Sequence, residues 1–219
     1  GNADAFFDIS RDDTFLGVSV SGIGDINADN IPDFAIGAPG YNRIYVFFGR
    51  TAMDWGQGYN VQNADVVITP ETNNRYFGWL IRGVGDLNGD SIDDFMMSDF
   101  RYSNNRGITH IFYGANSLAS TISASNLESF VGEYNDDIAG YRFSGIGDFD
   151  HDGYNDFIIG ALGFDGPWTR RGKVYLLTGS NTGWQSHTNL NFVTDYGLGE
   201  TPDSVQYGQY VAGIGDINN

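Results

Sequence analysis

The chain has 219 residues, with 28 acidic residues against 11 Lys and Arg, a formal net charge of −17 and no cysteine. This charge balance argues against a partner that is a nucleic acid or an anionic membrane surface, because too few cations are present to neutralise phosphates. The absence of cysteine rules out disulfides, and no apolar run reaches the roughly 18 residues of a membrane span. Frequent Gly, Tyr and Phe favour short strands joined by tight turns.

An internal repeat runs through the whole chain. A Gly-Asp step recurs at intervals of 61, 62 and 68 residues and places these aspartates in register: Asp25, Asp86, Asp148 and Asp216. A glycine lies eight residues before each of them: Gly17, Gly78, Gly140 and Gly208. Repeats of this length indicate one supersecondary unit that is stacked several times.

Each complete repeat contains the same order of predicted strands. A short apolar strand follows the acidic loop, at 33–39, 94–100 and 156–162. A second strand, ending in glycine, follows at 43–49, 107–114 and 172–179. A weaker strand leads into the next unit, at 64–70 and 127–132. About four short strands per unit are typical of propeller blades, because one such sheet cannot bury both of its faces alone.

The loop between the Gly-Asp step and the next strand predicts a metal site. Residues 25–33, 86–94 and 148–156 all follow the pattern D-x-[DN]-x-D-x-x-x-D. Oxygen-bearing side chains at positions 1, 3, 5 and 9 are the predicted ligands: Asp25, Asn27, Asp29 and Asp33; Asp86, Asn88, Asp90 and Asp94; Asp148, Asp150, Asp152 and Asp156. Position 7 is apolar and offers its backbone carbonyl: Ile31, Ile92 and Tyr154.

Calcium is the predicted ion at these loops. Ca²⁺ takes six to eight oxygens in flexible geometry, whereas Mg²⁺ requires a stricter octahedron and ranks second; zinc is disfavoured because no Cys or ligating His is present. Position 6 must turn sharply and holds Asn30, Ser91 or Gly153, so we expect loop two, with serine, to bind most weakly. An EF-hand loop is rejected because its position 12, which holds a ligand in that motif, lies inside a predicted strand here. The remaining alternative to a metal site is that the three loops are only polar hairpin tips.

These motifs resemble the FG-GAP repeat of integrin α-subunit propellers. Phe77-Gly78 and Gly37-Ala38-Pro39 match the first and last elements of the family pattern, and Gly160-Ala161-Leu162 nearly matches the last. Repeat two departs, with Ser98-Asp99-Phe100 in place of Gly-Ala-Pro. Leu16 and Ala139 replace the first phenylalanine in repeats one and three.

The resemblance implies an all-β fold, a β-propeller of four-stranded antiparallel blades in which the calcium loop joins the innermost strand to the second. The implied division is 4–10 as the outer strand of a preceding blade, then 14–70, 76–132 and 138–195 as blades, and 206–219 as the start of a fourth. Such propellers usually have seven blades, so we expect about half of one here. Asp216 and Asn218 would begin a fourth calcium site, which is truncated.

The predicted function is a calcium-binding, non-enzymatic module for protein interaction or cell adhesion, outside the cell, where calcium is plentiful. No catalytic constellation is recognised. The candidate partner-binding residues lie in loops after the first apolar strand of each repeat: Tyr41, Phe100, Arg101, Tyr102, Trp168, Arg170 and Arg171. Aromatic residues and Arg are enriched at interface hot spots. The alternatives are a self-associating structural repeat of an extracellular assembly, and an accessory or glycan-binding propeller of a secreted enzyme.

Overall fold

The fold is all-β. The computed structural model describes residues 7–8, 15–50, 59–72, 76–164, 172–184, 188–192 and 208–213. The strands in these ranges are β1 (Phe7–Asp8), β2 (Val20–Gly24), β3 (Asp33–Ala38), β4 (Arg43–Phe47), β5 (Tyr59–Asn60), β6 (Val66–Thr69), β7 (Leu80–Gly85), β8 (Asp94–Asp99), β9 (Ile108–Phe112), β10 (Thr121–Ser123), β11 (Ser129–Val131), β12 (Ala139–Gly147), β13 (Asp156–Ala161), β14 (Lys173–Leu177) and β15 (Thr188–Asn189).

Helical structure is confined to single turns in the described part of the chain. One short helix, Tyr102–Asn105, follows β8. The 3₁₀ turns are Pro39–Tyr41, Val61–Asn63, Ala124–Asn126 and Leu190–Phe192. No helix among the described residues combines the length and apolar character needed to cross a bilayer.

The strands form a series of small sheets with the same internal order. The first sheet is ordered β10-β6-β4-β3-β2, the second β15-β11-β9-β8-β7 and the third β12-β13-β14. Within the first two sheets, four strands from one repeat pair antiparallel. This confirms the blade-type sheet predicted from the repeat.

A fifth strand at the outer edge of these sheets was not predicted from the sequence. β10 pairs in parallel with β6, and β15 pairs in parallel with β11, so the next repeat in the chain supplies the edge strand. β5 pairs in parallel with β1 in the same way. The strand covers an edge that would otherwise present unpaired backbone groups, and it ties each repeat to the one before.

A short sequence motif at the end of each of these edge strands marks where the chain crosses to the next sheet. The side chain of Asn60 accepts a hydrogen bond from Gln62 N, the amide two residues later in the chain. The side chains of Ser123 and Asn189 likewise accept from the amides of Ser125 and Asn191. An apolar residue follows each cap and is buried: Val61, Ala124 and Leu190. A capping Asn or Ser followed by a buried apolar residue therefore marks the place where the chain leaves one sheet for the next.

The core lies between neighbouring sheets. Phe95 and Met97 of β8 pack in the cluster shared with the first sheet, whereas Met96 packs in the cluster shared with the third. Successive side chains of a strand point to opposite faces. Both faces of β8 are therefore buried, which explains why its sequence is a continuous apolar run rather than an alternation.

The innermost strands β2, β7 and β12 lie beside one another and hold the sheets close together. A Cβ atom on Gly37 would collide with the backbone carbonyl of Gly78 in the neighbouring sheet. Glycine at this position permits a backbone approach that any side chain would prevent. The glycines of the repeat are thus packing positions between sheets as well as turn residues.

Candidate metal centres

The acidic loops connect the innermost strand of a sheet to the second strand. They join β2 to β3, β7 to β8 and β12 to β13, with the loop residues at 25–33, 86–94 and 148–156. The backbone must reverse direction within each loop, since the two strands it joins are antiparallel. The three loops are therefore equivalent parts of three sheets.

The aspartate at position 1 holds each loop together from inside. Asp25 Oδ1 accepts a hydrogen bond from Asp29 N at 3.0 Å, and its Oδ2 accepts one from Asn30 N at 2.7 Å. Asp86 accepts from the corresponding amides of loop two, and Asp148 from those of loop three. The carboxylate thus sits at the centre of the turn and draws the backbone around it.

Positions 3 and 5 continue the same pattern. In loop one, Asn27 Oδ1 accepts from Asp29 N at 3.0 Å, and Asp29 Oδ1 accepts from Ile31 N at 2.8 Å. The equivalent bonds are present in loop two and loop three. The same local hydrogen bonds therefore recur in all three loops, but among the described residues only loop three brings three acidic side chains within 4.8 Å of one another.

Loop three gathers the highest charge. Its position 3 is Asp150, where the other loops have an asparagine whose amide donates to the position 5 carboxylate. Carboxylate oxygens of Asp148, Asp150 and Asp156 lie within 4.8 Å of one another. Three carboxylates this close repel one another, and a divalent cation is the ordinary means of neutralising such a group.

The aspartate at position 9 has a second task. Asp94 is buried, and its two oxygens accept from Leu87 N at 2.8 Å and from Gly114 N at 2.9 Å. Asp33 and Asp156 make the same pair of bonds, each to position 2 of its loop and to the glycine after the next strand. Position 9 therefore ties the loop to the third strand of its sheet.

Burial makes the ionised form of position 9 costly. Desolvation raises the pKa of Asp33 to about 6 and that of Asp94 to about 7, and it also raises the pKa of Asp156. The backbone hydrogen bonds oppose this rise, and the other aspartates of each loop add to it. A bound cation would offset the burial of this charge.

The loops turn through left-handed backbone at two positions. Position 6 has a positive φ in all three, 66° at Asn30, 68° at Ser91 and 95° at Gly153, which confirms the predicted sharp turn. Position 4 is also left-handed, with Ala28 at 59° and His151 at 62°. The sequence did not predict this second position, because alanine and histidine rarely adopt such a conformation.

Neighbouring loops contact one another through position 8. Asp93 Oδ2 accepts a hydrogen bond from Asp25 N at 2.9 Å, and Asp93 N donates to Asp25 O at 3.2 Å. In the next pair, Asn155 N donates to Asp86 O at 3.0 Å. The position 1 aspartate of one loop is thus braced by the loop of the following repeat, a role that the motif alone does not reveal.

The candidate partner-binding residues lie in the loops after the second strand of each sheet. Tyr41 and Arg101 are exposed and Tyr102 is half-buried, with its hydroxyl donating to Glu71. Phe100 is buried and packs edge-on against Tyr76, Trp79 and Tyr141. Trp168, Arg170, Arg171, Asp216 and Asn218 lie outside the described residues.

Comparison with known proteins identifies the repeat. The FG-GAP repeat model matches residues 16–51 and 139–177. Integrin alpha-6 of Gallus gallus is 34% identical over 84 residues, which are 37% of this chain and 7% of that protein. Integrin alpha-PS2 of Drosophila melanogaster is 29% identical over 183 residues, 79% of this chain and 12% of that protein. Integrin alpha-8 of Homo sapiens is 29% identical over 185 residues, 80% of this chain and 16% of that protein. The matched stretch thus spans only about a sixth, or less, of these relatives.

Proposed function

We propose, from the premise that this chain carries FG-GAP repeats, that it is a calcium-binding β-propeller module for protein–protein interaction or cell adhesion outside the cell. The observation that carries the proposal is the geometry of the three acidic loops. The same hydrogen bonds to the position 1 aspartate recur in each loop, and in loop three Asp148, Asp150 and Asp156 bring carboxylate oxygens within 4.8 Å of one another. That repetition supports metal loops over polar hairpin tips, which need no such agreement.

The oxygen ligands favour calcium over other ions. Each loop offers hard carboxylate oxygens, loops one and two add the amide oxygens of Asn27 and Asn88, and the position 7 carbonyls of Ile31, Ile92 and Tyr154 are a further ligand. Such a set suits the six to eight ligands of Ca²⁺, and the turn of each loop leaves its geometry adaptable. We propose one ion in each loop, with Asp216 and Asn218 as the first ligands of a fourth site.

The division into blades follows from the same repeat. We propose blades at 14–70, 76–132 and 138–195, a preceding outer strand at 4–10 and the beginning of a fourth blade at 206–219, as part of a seven-bladed propeller. The four antiparallel strands β2, β3, β4 and β6 support the first of these ranges. The parallel edge strands support a circular arrangement, since each links one sheet to its predecessor.

The adhesive role draws on the relatives. Integrin α-subunits from vertebrates and from an insect align with most of this chain. A module of this kind needs no catalytic group, and its partner is proposed to be a protein that contacts the loops bearing Tyr41, Arg101 and Tyr102 and, further along the chain, Trp168, Arg170 and Arg171. The calcium loops would hold the sheets in the arrangement that presents these loops.

Calcium binding is tested by calorimetric titration of the chelator-treated chain and by its melting temperature with and without calcium. We expect stoichiometric binding at the loops and a rise in melting temperature, because a ligand that binds only the folded state stabilises it. Asp152→Asn keeps the acceptor for Tyr154 N and removes one charge. It should weaken one site by about tenfold, or roughly 1.4 kcal/mol.

Asp136→Asn is the matched control, because Asp136 is exposed, lies outside the loops and has a positive φ that asparagine tolerates. The same proteins, coated on a surface, test adhesion of cells in calcium and in chelator. Binding that is unchanged in Asp152→Asn, or a melting temperature indifferent to calcium, would refute the metal sites. Adhesion that persists in chelator would refute the link between the sites and the partner.

A further inference from the structure

A cavity of about 320 Å³ opens beside the innermost strands, apart from the acidic loops. It is lined by residues of β2, β7 and β12 and of the segments just before β2 and β7, among them Val20, Trp79, Leu80, Arg82 and Arg142. None of its lining residues belongs to the D-x-[DN]-x-D-x-x-x-D loops. It is therefore a separate feature from the proposed calcium sites.

Two arginines face this cavity with most of their hydrogen-bonding capacity unused. Arg82 Nη1 donates to Ile81 O at 2.9 Å, and Arg142 Nη1 donates to Tyr141 O at 2.8 Å. A guanidinium has five N–H donors. Among the residues that the structure describes, the salt bridges are Arg50 with Asp65 and Lys173 with Glu133, so neither of these arginines is paired with a carboxylate.

The pairing pattern is unusual for this composition. Acidic residues outnumber Lys and Arg by 28 to 11, so carboxylates are abundant for any arginine to pair with. Two guanidinium groups that line one cavity, with no carboxylate partner in the described part of the chain, create a local positive potential in an otherwise acidic molecule. Such a site attracts an anion, and the fork of a guanidinium matches the two oxygens of a carboxylate.

Apart from Ser19, whose hydroxyl oxygen accepts a hydrogen bond from Ile81 N, the other lining residues are apolar: Val18, Val20, Trp79 and Leu80. Val20 is 58% exposed although it is a large aliphatic residue, whereas Leu80 is buried. The ring of Trp79 is held by contacts with Phe100 and Tyr141, which fix its position in the wall. An inorganic anion would leave these surfaces uncovered, whereas a carboxylate on an apolar group would satisfy the arginines and cover the wall.

We propose that this cavity binds an organic carboxylate, with the carboxylate on Arg82 and Arg142 and its apolar portion against Val20 and Trp79. The carboxylate belongs either to a free acid or to an acidic side chain of a peptide. This site goes beyond the proposed calcium-dependent module, because it uses other residues and another class of ligand.

Calorimetric titration of the whole chain in saturating calcium tests the proposal. N-acetylphenylalanine is the free-acid probe, and N-acetylphenylalaninamide is its neutral control. Acetyl-Phe-Asp-amide carries its only carboxylate on a side chain and represents the peptide source. We expect at least one acid to bind with a Kd on the order of 1 mM and to weaken as salt is added, while the amide does not bind.

The arginine variants decide whether the cavity is the site. Arg82→Gln and Arg142→Gln should each raise the Kd about tenfold. Arg43→Gln is the matched control, since Arg43 also donates Nη1 to the carbonyl of its preceding residue but does not line the cavity. Its Kd should equal that of the unaltered chain. The melting temperature of each variant is measured in parallel, and Arg82, which is exposed, is the substitution least able to disturb folding.

The proposal is overturned if neither acid shows binding at ligand concentrations up to about 50-fold above the expected Kd. It is also overturned if the amide binds as tightly as the acid, or if Arg82→Gln and Arg142→Gln bind the acids as tightly as Arg43→Gln does. Preferential binding of N-acetylphenylalanine assigns the site to a free acid, and preferential binding of acetyl-Phe-Asp-amide assigns it to a peptide. The calcium-dependent rise in melting temperature is read on the same samples, so a failure of the calcium sites is recognised separately.

Discussion

The two ends of the second strand in each sheet are built in different ways. Before that strand lie the acidic loops, which have the same length and the same hydrogen bonds in all three repeats. After it, β3 continues into a 3₁₀ turn at Pro39–Tyr41, whereas β8 continues into the turn Tyr102–Asn105, in which Ser103 and Asn104 are left-handed. The first end is thus uniform in all three repeats, whereas the second differs between repeats one and two.

The difference lies in what satisfies the backbone amides. In the acidic loops, side-chain oxygens at positions 1, 3, 5 and 9 accept them, so the geometry depends on those residue types. In the turn after β8, backbone carbonyls accept amides further along the turn, since Arg106 N donates to Ser103 O and Gly107 N to Tyr102 O, and one carboxylate, Asp99, accepts from Arg101 N. Backbone acceptors exist at every residue. The second kind of loop can therefore vary in sequence and carry a partner-binding surface.

The largest effect is expected at position 9 of loop two. Asp94→Ala leaves Leu87 N and Gly114 N without their acceptor in a buried setting. Each orphaned donor costs about 1–3 kcal/mol, so we expect a loss of roughly 2–6 kcal/mol in the free energy of unfolding. Denaturant unfolding should show this loss of stability both in calcium and in chelator at pH 6. There Asp94, with a pKa of about 7, is mostly protonated and carries no buried charge.

Asp90→Ala is the comparison for that substitution, because Asp90 is an exposed, proposed ligand of the same loop. It should lower stability in calcium and change it by less than about 1 kcal/mol in chelator. Equal losses for both variants in chelator would mean that position 9 does not brace the loop.

The second prediction concerns Asp99, a side chain that does hold the variable end. It is buried, its Oδ1 accepts from Arg101 N, and desolvation raises its pKa to about 7 despite that bond. A carboxyl whose folded pKa exceeds its unfolded value of 3.8 binds its proton more tightly in the folded state. Its contribution to stability is therefore fully present at low pH and is lost as the pH rises toward 7.

In saturating calcium, we expect the unfolding free energy of the unaltered chain to fall between pH 5 and pH 8. In Asp99→Asn this fall should be smaller by roughly 2–3 kcal/mol. Asp136→Asn, at an exposed neighbouring acid, should leave the slope as it is. Denaturant unfolding at the two pH values measures both. An unchanged slope in Asp99→Asn would place the titrating group elsewhere.

The smallest expected effect is at position 6, where a substitution tests whether the three acidic loops differ in stability. Ser91 at position 6 of loop two has a φ of 68°, a conformation that costs serine more than glycine. Ser91→Gly should raise the unfolding free energy by about 0.5–1 kcal/mol and strengthen calcium binding at loop two. Asn30→Gly should gain less, because asparagine tolerates this backbone. A gain at Asn30 as large as that at Ser91 would contradict the predicted weakness of loop two.

Much of this architecture is predictable from the repeat. The Gly-Asp spacing and the apolar runs at 33–39, 94–100 and 156–162 predict the inner and second strands, and β2, β3, β7, β8, β12 and β13 lie where expected. The edge strands β5, β10 and β15 were missed, because two or three residues with a cap have no periodicity to recognise. Their pairing partners lie in another repeat, which a local pattern does not contain.

By itself, the sequence determined the repeat, the class of sheet and the oxygen-bearing positions of each loop, because these depend on spacing within a few residues of chain. Only the tertiary structure decided that position 9 is a buried brace, that Asp93 of one loop supports Asp25 of another, and that Arg82 and Arg142 line one cavity. Each of these depends on which surfaces meet when separate sheets pack. Residues about 60 positions apart in the chain become neighbours through that packing, and no short-range pattern records it.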